Sequence, residues 1–127
     1  MKKLITFVFV VVVIYFVVTS VVTIIGEAAI ERNKRELTRK IESSSLYGKP
    51  PEKVIEFLDA ERIQHGKYYR KHPYHPYLDR TVSAVRRDVA YTWRWNEDLR
   101  RWNISMIFDF DDNDKFERYF IGEERTI

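Results

Sequence analysis

Positions 4–25 of the chain read LITFVFVVVVIYFVVTSVVTII, an uncharged and mostly apolar run directly behind Met1, Lys2 and Lys3. At about 1.5 Å per residue, a helix over this run is about 33 Å long, enough to cross the roughly 30 Å hydrocarbon core of a bilayer. Backbone groups inside lipid must satisfy their own hydrogen bonds, so a helix is expected although β-branched residues dominate. The run predicts a transmembrane helix over residues 4–26, with residues 1–3 as a cytoplasmic N-terminus.

The flanks of this run bear on its processing and its direction. Gly26 and Ala28 place small residues where a signal peptidase reads, so a signal peptide cleaved after Ala28 competes with an uncleaved anchor. The length of the run favours the anchor, because a signal-peptide core usually has about 7–15 residues. The lysine start favours export of the remaining chain, whereas the more numerous Lys and Arg after the run favour the opposite direction. We predict a single-pass signal-anchor in the cytoplasmic (inner) membrane of a bacterium, with the C-terminal domain extracytoplasmic, on the periplasm side.

The composition of the chain limits its chemistry. The 22 Lys and Arg residues exceed the 19 Asp and Glu residues by three, and two of those lysines precede the apolar run. The exposed part is therefore close to neutral, and the basic pI of about 9.1 is no evidence for nucleic acid as a partner. The chain has no cysteine, which excludes disulfides, thiolate metal sites, cysteine nucleophiles and the acylated cysteine of a lipoprotein.

Residues 27–47 are predicted to form a helical stalk and hinge. Ile30, Leu37 and Ile41 make a thin apolar stripe, narrower than the face of a typical core helix. A solvated stalk is the preferred interpretation, and self-association through this stripe is the alternative. Three serines at 43–45 and the Gly-Lys-Pro-Pro sequence at 48–51 then interrupt the helix.

Residues 48–127 are predicted to form a small α+β domain, one helix packed on a three-stranded antiparallel meander (αβββ). The helix is expected to begin at Pro50 and Pro51 and to end with Gly66 as its C′ residue. A first strand from Thr81 to Trp95 is indicated because its large apolar residues share odd positions, and a helix over its first half is the alternative. The next strand has apolar residues at every second position, namely Trp102, Ile104, Met106, Phe108 and Phe110. In the last strand, Phe116, Arg118 and Phe120 alternate with Glu117, Tyr119 and Ile121.

No sequence pattern indicates catalysis, a cofactor or a metal. An EF-hand loop starting at Asp109 would need glycine at its sixth position and glutamate at its twelfth, where the chain has Asp114 and Phe120, so a polar turn is expected. His72 and His75 have no cysteine to complete a zinc site, and a structural or exposed role is preferred. The nucleophile elbow, the phosphate loop and the dinucleotide fingerprint are all missing from the sequence. We predict that the chain is not an enzyme.

The most distinctive surface residues are arginines placed among aromatic residues between positions 67 and 102. Aromatic and arginine side chains dominate interface hot spots, which predicts a protein-interaction or assembly adaptor that binds another envelope protein or self-associates. The alternatives are a purely structural role, in which the arginine stems cover the aromatic rings, and a membrane-tethered module that binds anionic lipid or nucleic acid. Acidic residues prevail after position 103, and this change of sign argues against a nucleic-acid groove. The candidate contact residues are Trp93, Arg94, Trp95, Arg100, Arg101 and Trp102.

Two short segments carry a family resemblance. Positions 47–54 read YGKPPEKV and open the predicted helix, and positions 107–111 read IFDFD and end the predicted middle strand. With the apolar N-terminus, this layout resembles the SmpA/BamE-like outer-membrane assembly lipoproteins over roughly residues 47 to 121. The chain lacks their lipid-accepting cysteine, and Lys49 replaces their usual small hydroxyl residue. The resemblance therefore implies an envelope adaptor without catalysis, and not a role in outer-membrane assembly.

Overall fold

The computed structural model describes residues 1–93 and 99–126. Its helices are α1 (Lys2–Ser43) and α2 (Pro51–Ala60), and its strands are β1 (Gln64–His65), β2 (Thr81–Thr92), β3 (Arg100–Phe110) and β4 (Phe116–Thr126). The strands form one antiparallel sheet in chain order. The α+β class is confirmed, but the prediction of three strands is wrong, because the described residues contain four.

The additional strand follows α2. Gln64 pairs with Val85 and His65 pairs with Ala84, and burial of Ile63 to 3% exposure brings the chain to the edge of β2. Two residues are too few to show an alternating pattern, so the sequence gives no sign of this strand.

The first half of α1 carries its apolar side chains on the surface. Phe7, Phe9 and Ile14 are 65%, 67% and 56% exposed, and the neighbouring valines are similar. The helix is long and apolar enough to cross a membrane, a test that a signal sequence near the N-terminus also passes. By length and composition α1 therefore fits a transmembrane or signal-anchor helix.

The second half of α1 belongs to the domain, so the prediction of a solvated stalk is wrong. Ile30, Leu37 and Ile41 are 2%, 0% and 0% exposed, and the latter two join the main hydrophobic core. Lys34 reaches Glu123 of β4 at 3.6 Å. A thin stripe is sufficient here because the sheet and α2 supply the rest of the core. The alternative of self-association through the stripe also fails, since the chain's own sheet covers it.

Helix α2 begins as predicted but ends earlier. Its C′ residue is Arg62, with a left-handed φ of 57°, and not Gly66. The Arg62 N–H donates to the Asp59 carbonyl and the Ile63 N–H to the Leu58 carbonyl, which is the Schellman arrangement. Leu58 and Ile63 are both buried, so their apolar contact stabilises the helix end without a glycine.

The even-numbered residues of β2 face the helices, although its largest side chains are at odd positions. Val82, Ala84 and Ala90 are buried, whereas Tyr91 is 46% exposed. The small side chains allow α1 to pack close to the strand. A bulge inserts two extra residues between Arg86 and Ala90, and an even insertion keeps the same face buried on both sides. The helical alternative for this segment is wrong.

Strand β4 changes its inward face at a second bulge. Asp109 pairs with Arg118 while Phe110 pairs with Phe116, so β4 contains one extra residue. Phe116 is buried, whereas Phe120 is 55% exposed although the simple alternation places both on one face. An odd insertion reverses the alternation, and Tyr119 and Ile121 pack against the core in place of Phe120.

Candidate functional site

The candidate contact residues lie at the end of the sheet where β2 leads into β3, beside the apolar half of α1. Trp93 follows β2, and Arg100, Arg101 and Trp102 are the first three residues of β3. The structure therefore brings four of the six candidates to one end of one hairpin. The other two candidates, Arg94 and Trp95, lie outside the described residues.

Trp93 joins this end of the sheet to α1. Its ring meets the ring of Tyr15 edge to face, with centroids 5.5 Å apart, and its carbonyl accepts a hydrogen bond of 3.2 Å from the Thr23 hydroxyl. Edge-to-face aromatic pairs contribute about 0.5–1.5 kcal/mol beyond the area they bury. Trp93 itself is 39% exposed, so part of its ring remains available to lipid or to a partner.

Gly26 allows the close approach of helix and strand at this junction. A Cβ atom at Gly26 would lie 2.6 Å from the Tyr91 carbonyl oxygen and 2.7 Å from the Thr92 methyl group, well inside normal contact distance. Glycine is common in tightly packed membrane helices for this steric reason. In this chain, however, Gly26 faces a strand of its own domain.

Three of the polar residues inside the apolar run, Tyr15, Thr19 and Thr23, lie on the face of α1 that the hairpin covers. Thr19 is 4% exposed, and its hydroxyl lies within 3.1 Å of the Tyr15 and Phe16 carbonyls of the preceding turn. Tyr15, Thr19 and Thr23 repeat at intervals of four, which is one face of a helix. This spacing was the available signal for the junction, which the sequence analysis did not predict.

Trp102 is held in place by a hydrogen bond to β2. Its indole Nε1–H donates a 2.7 Å hydrogen bond to the hydroxyl of Thr92, and Thr92 is only 4% exposed. The hydrogen bond satisfies two buried polar groups at once and fixes the orientation of the indole ring. Trp102 thus has a structural role in addition to any contact role.

Arg100 lines a cleft of about 470 Å³ between α1 and the sheet. Its Nε is buried and makes no hydrogen bond within the described residues. Glu27, Glu31 and Glu123 lie on the walls of the same cleft, together with Trp102. Arg125 also lines the cleft, so three carboxylates face two arginines, and Arg100 is better suited to a carboxylate of this cleft than to a phosphate group.

The opposite end of the sheet carries an independent polar cluster. The Tyr68 hydroxyl donates a short hydrogen bond to Asp114, which also pairs with Arg70 at 2.9 Å. Burial, followed by the hydrogen bond to Asp114, raises the pKa of Tyr68 to about 12. The Tyr68 hydrogen bond lowers the pKa of Asp114. The cluster secures the Asp111–Lys115 turn, where the Asp111 carboxylate accepts the Asn113 and Lys115 N–H groups.

The histidines are separated into two environments. The His65 ring bonds the Gly66 carbonyl at 2.8 Å and the Asp59 carboxylate at 2.7 Å, and these two interactions, in that order, raise the pKa of His65 above 6.5. His72 and His75 stack with centroids 5.5 Å apart, while His72 Nδ1 accepts two backbone N–H groups. No group of three His, Asp, Cys or Glu side chains in the described part of the chain could hold a metal ion.

Comparisons with protein-family models, with curated proteins and with solved structures found no match to this chain. The resemblance to SmpA/BamE-like proteins therefore stays a prediction.

Proposed function

We propose that the chain is a non-enzymatic, single-pass membrane-anchored envelope protein whose extracytoplasmic domain is a protein-interaction or assembly adaptor. The observation that carries this proposal is the Trp93 junction, which fastens the aromatic and basic end of the sheet to the apolar half of α1. A domain on a flexible tether would present its contact residues at many heights and orientations. The rigid junction favours one orientation close to the bilayer, and preorganisation of this kind lowers the cost of association.

The side chains that remain exposed at this end suit a protein partner in the same membrane. Tyr91 is 46% exposed, Leu99 is 53% exposed, and Arg101 is also exposed. Aromatic and arginine side chains with apolar neighbours are typical of interface cores. A partner embedded beside α1 would meet these residues and the exposed part of Trp93 at the same depth.

Photocrosslinking in native membranes tests the adaptor proposal. A photoreactive amino acid replaces Arg101 in the full chain, and a matched variant carries it at Lys71, an exposed basic residue in the loop before β2. We expect a discrete protein adduct from position 101 and none from position 71, identified by mass spectrometry. Adducts of equal yield at both positions, or only lipid adducts at position 101, would contradict a protein-contact role for this end.

The orientation has its own test. Alkaline phosphatase fused after Ile127 is active only outside the cytoplasm, whereas a green fluorescent protein at the same place reports a cytoplasmic domain. We expect phosphatase activity without fluorescence. The reverse result would place the domain inside the cell and refute the extracytoplasmic part of the proposal.

Contact with anionic lipid is the second candidate function, and the aromatic and basic residues at the junction favour it. Tryptophan and tyrosine prefer the headgroup level of a membrane, and arginine binds phosphate there. If lipid is the main partner, Arg101→Glu should weaken contact with vesicles that contain anionic lipid and leave zwitterionic vesicles unaffected.

A further inference from the structure

A small apolar notch lies between α1 and β2, next to the close approach at Gly26. Its volume is about 280 Å³. Gly26, Ala29 and Ala90 have a small side chain or none, so the helix and the strand leave a space that neither of them fills. We call this space the notch. Six residues line it: Val22, Ile25, Gly26, Ala29, Ala90 and Tyr91.

The notch opens onto the apolar half of α1. Val22 and Ile25 belong to the run that is long and apolar enough to cross a membrane, and Ile25 is 63% exposed. In the anchored protein, the acyl chains of lipids surround this run. Pockets that enclose a whole small molecule usually have about 300–1,000 Å³, so the notch suits one segment of a longer apolar chain.

A cation follows the notch on the helix. Arg32 is the first basic residue after the apolar run and comes three residues after Ala29, about 4.5 Å along the helix. Helical side chains lean toward the N-terminus of their helix, which directs Arg32 back toward the notch. Arg32 is exposed and forms no ion pair with the described carboxylates. The nearest acids on the helix pair with lysines instead: Glu31 with Lys34, and Glu36 with Lys40.

A second arginine comes from β2. Arg86 is opposite Ile104 in the sheet, and Ala90 is opposite Trp102, two residues earlier on β3. Residues two apart on a strand share a face, so Arg86 lies on the same face as Ala90, about 7 Å further along the strand. Arg86 is half-buried, and it too has no ion pair within the described part of the chain. Two elements therefore each place an arginine beyond the end of the notch.

We infer that the notch and the two arginines bind one anionic phospholipid. An acyl chain occupies the notch, and the phosphate of the headgroup pairs with Arg32 and Arg86. A phospholipid presents an apolar chain and an anionic head in the same order as the site presents its apolar and basic parts. An apolar side chain of a partner protein would fill the notch but would leave both arginines unexplained. The inference rests on the proposed membrane anchoring and not on the adaptor role.

A phosphatidylglycerol with a photoreactive group in its acyl chain tests the site. The full chain is reconstituted in vesicles that contain this lipid, and the labelled residues are mapped by mass spectrometry. Lipid surrounds the apolar run in any case, so the informative adducts are those on Ala90 and Tyr91 of β2. We expect these adducts, and excess unlabelled phosphatidylglycerol should reduce them more than the same excess of phosphatidylcholine. A wild-type chain without β2 adducts, or with adducts that both lipids reduce equally, overturns the inference.

Filling the notch provides a matched pair of variants. Ala29→Leu places a larger side chain in the notch, whereas Ala28→Leu makes the same change at the adjacent alanine, which is exposed and outside it. We expect Ala29→Leu to lose most of the β2 adducts while it keeps those on α1, and Ala28→Leu to keep both. Equal β2 labelling in the two variants would show that lipid reaches β2 without the notch. If Ala29→Leu does not fold, the lipid competition on the wild-type chain decides.

The headgroup contact has its own arm. Arg32→Gln combined with Arg86→Gln should lower the preference for phosphatidylglycerol over phosphatidylcholine about fivefold, as expected for two exposed ion pairs. Arg39→Gln combined with Arg87→Gln removes the same charge from the same two elements and should keep the preference. An equal loss in both double variants would refute the headgroup contact. Alkaline carbonate extraction separates the levels: release of the chain from membranes would refute the anchoring, whereas a retained chain without β2 adducts refutes only the lipid site.

Discussion

Gly26→Val is the sharpest perturbation of the junction between α1 and the sheet. The Cβ of any larger residue would lie 2.6 Å from the Tyr91 carbonyl oxygen, and ordinary contact begins at 3.4 Å. The oxygen belongs to the backbone of a hydrogen-bonded strand, so the helix and β2 must separate along this stretch. Overpacking of this kind costs about 1–3 kcal/mol, and the second branch of valine places the cost near the upper end. The better helix propensity of valine recovers less than about 0.5 kcal/mol.

We expect Gly26→Val to lower the thermal midpoint by about 10 °C, because 1 kcal/mol corresponds to about 4–8 °C for a domain of this size. The assay is tryptophan fluorescence during heating of the full chain in lipid nanodiscs. Ser20→Val is the matched control: Ser20 is exposed on the same helix, and it should leave the midpoint unchanged. Equal midpoints for Gly26→Val and the wild-type chain would show that the helix does not pack against β2 at this point.

Three further predictions concern the core, the site and pH. Leu37→Ala should cost about 2–5 kcal/mol in a denaturant titration because the side chain is fully buried, whereas a solvated stalk would lose almost nothing. Trp102→Phe should lower the free energy of unfolding by about 1 kcal/mol because it removes the hydrogen bond to Thr92. Adding Thr92→Val to that variant should lower it little further, and additive losses would contradict a shared bond. Because the pKa of His65 is raised in the folded state, its stabilising effect is complete below about pH 6.5 and is lost as the pH rises through the folded-state pKa. The free energy of unfolding should therefore fall from pH 6 to 8, and Asp59→Asn should flatten that pH dependence.

The sequence predicts the α+β class and the presence of the larger elements because those depend on local patterns. The apolar run predicts α1, the prolines predict the start of α2, and the alternation from Trp102 to Phe110 predicts β3. Prediction is weaker where packing between distant segments determines which residues are buried. Ile30, Leu37 and Ile41 form too thin a stripe to indicate a core helix, and their burial depends on a sheet that comes later in the chain.

The bulges show the same limit at the level of single residues. Both Phe116 and Phe120 fit one face of a regular strand, and only the extra residue opposite Phe110 turns Phe120 outward. The four candidate contact residues that the structure describes lie at one end of the sheet, and their contact role stays a prediction. Their position against the apolar run was not predicted. The three polar residues Tyr15, Thr19 and Thr23 have no evident role in the sequence, because the residue they contact, Trp93, comes much later in the chain.

Depth-dependent quenching of tryptophan fluorescence tests the central claim most directly. All three tryptophans of the chain (Trp93, Trp95 and Trp102) belong to the candidate contact group, so the native emission reports on this group alone. The full chain is reconstituted in vesicles of lipids brominated at different depths, with aqueous iodide as the opposing quencher. The proposed arrangement predicts strong quenching by brominated lipids and little by iodide. Full quenching by iodide with no effect of any brominated lipid would place this end of the sheet away from the membrane and contradict the proposal.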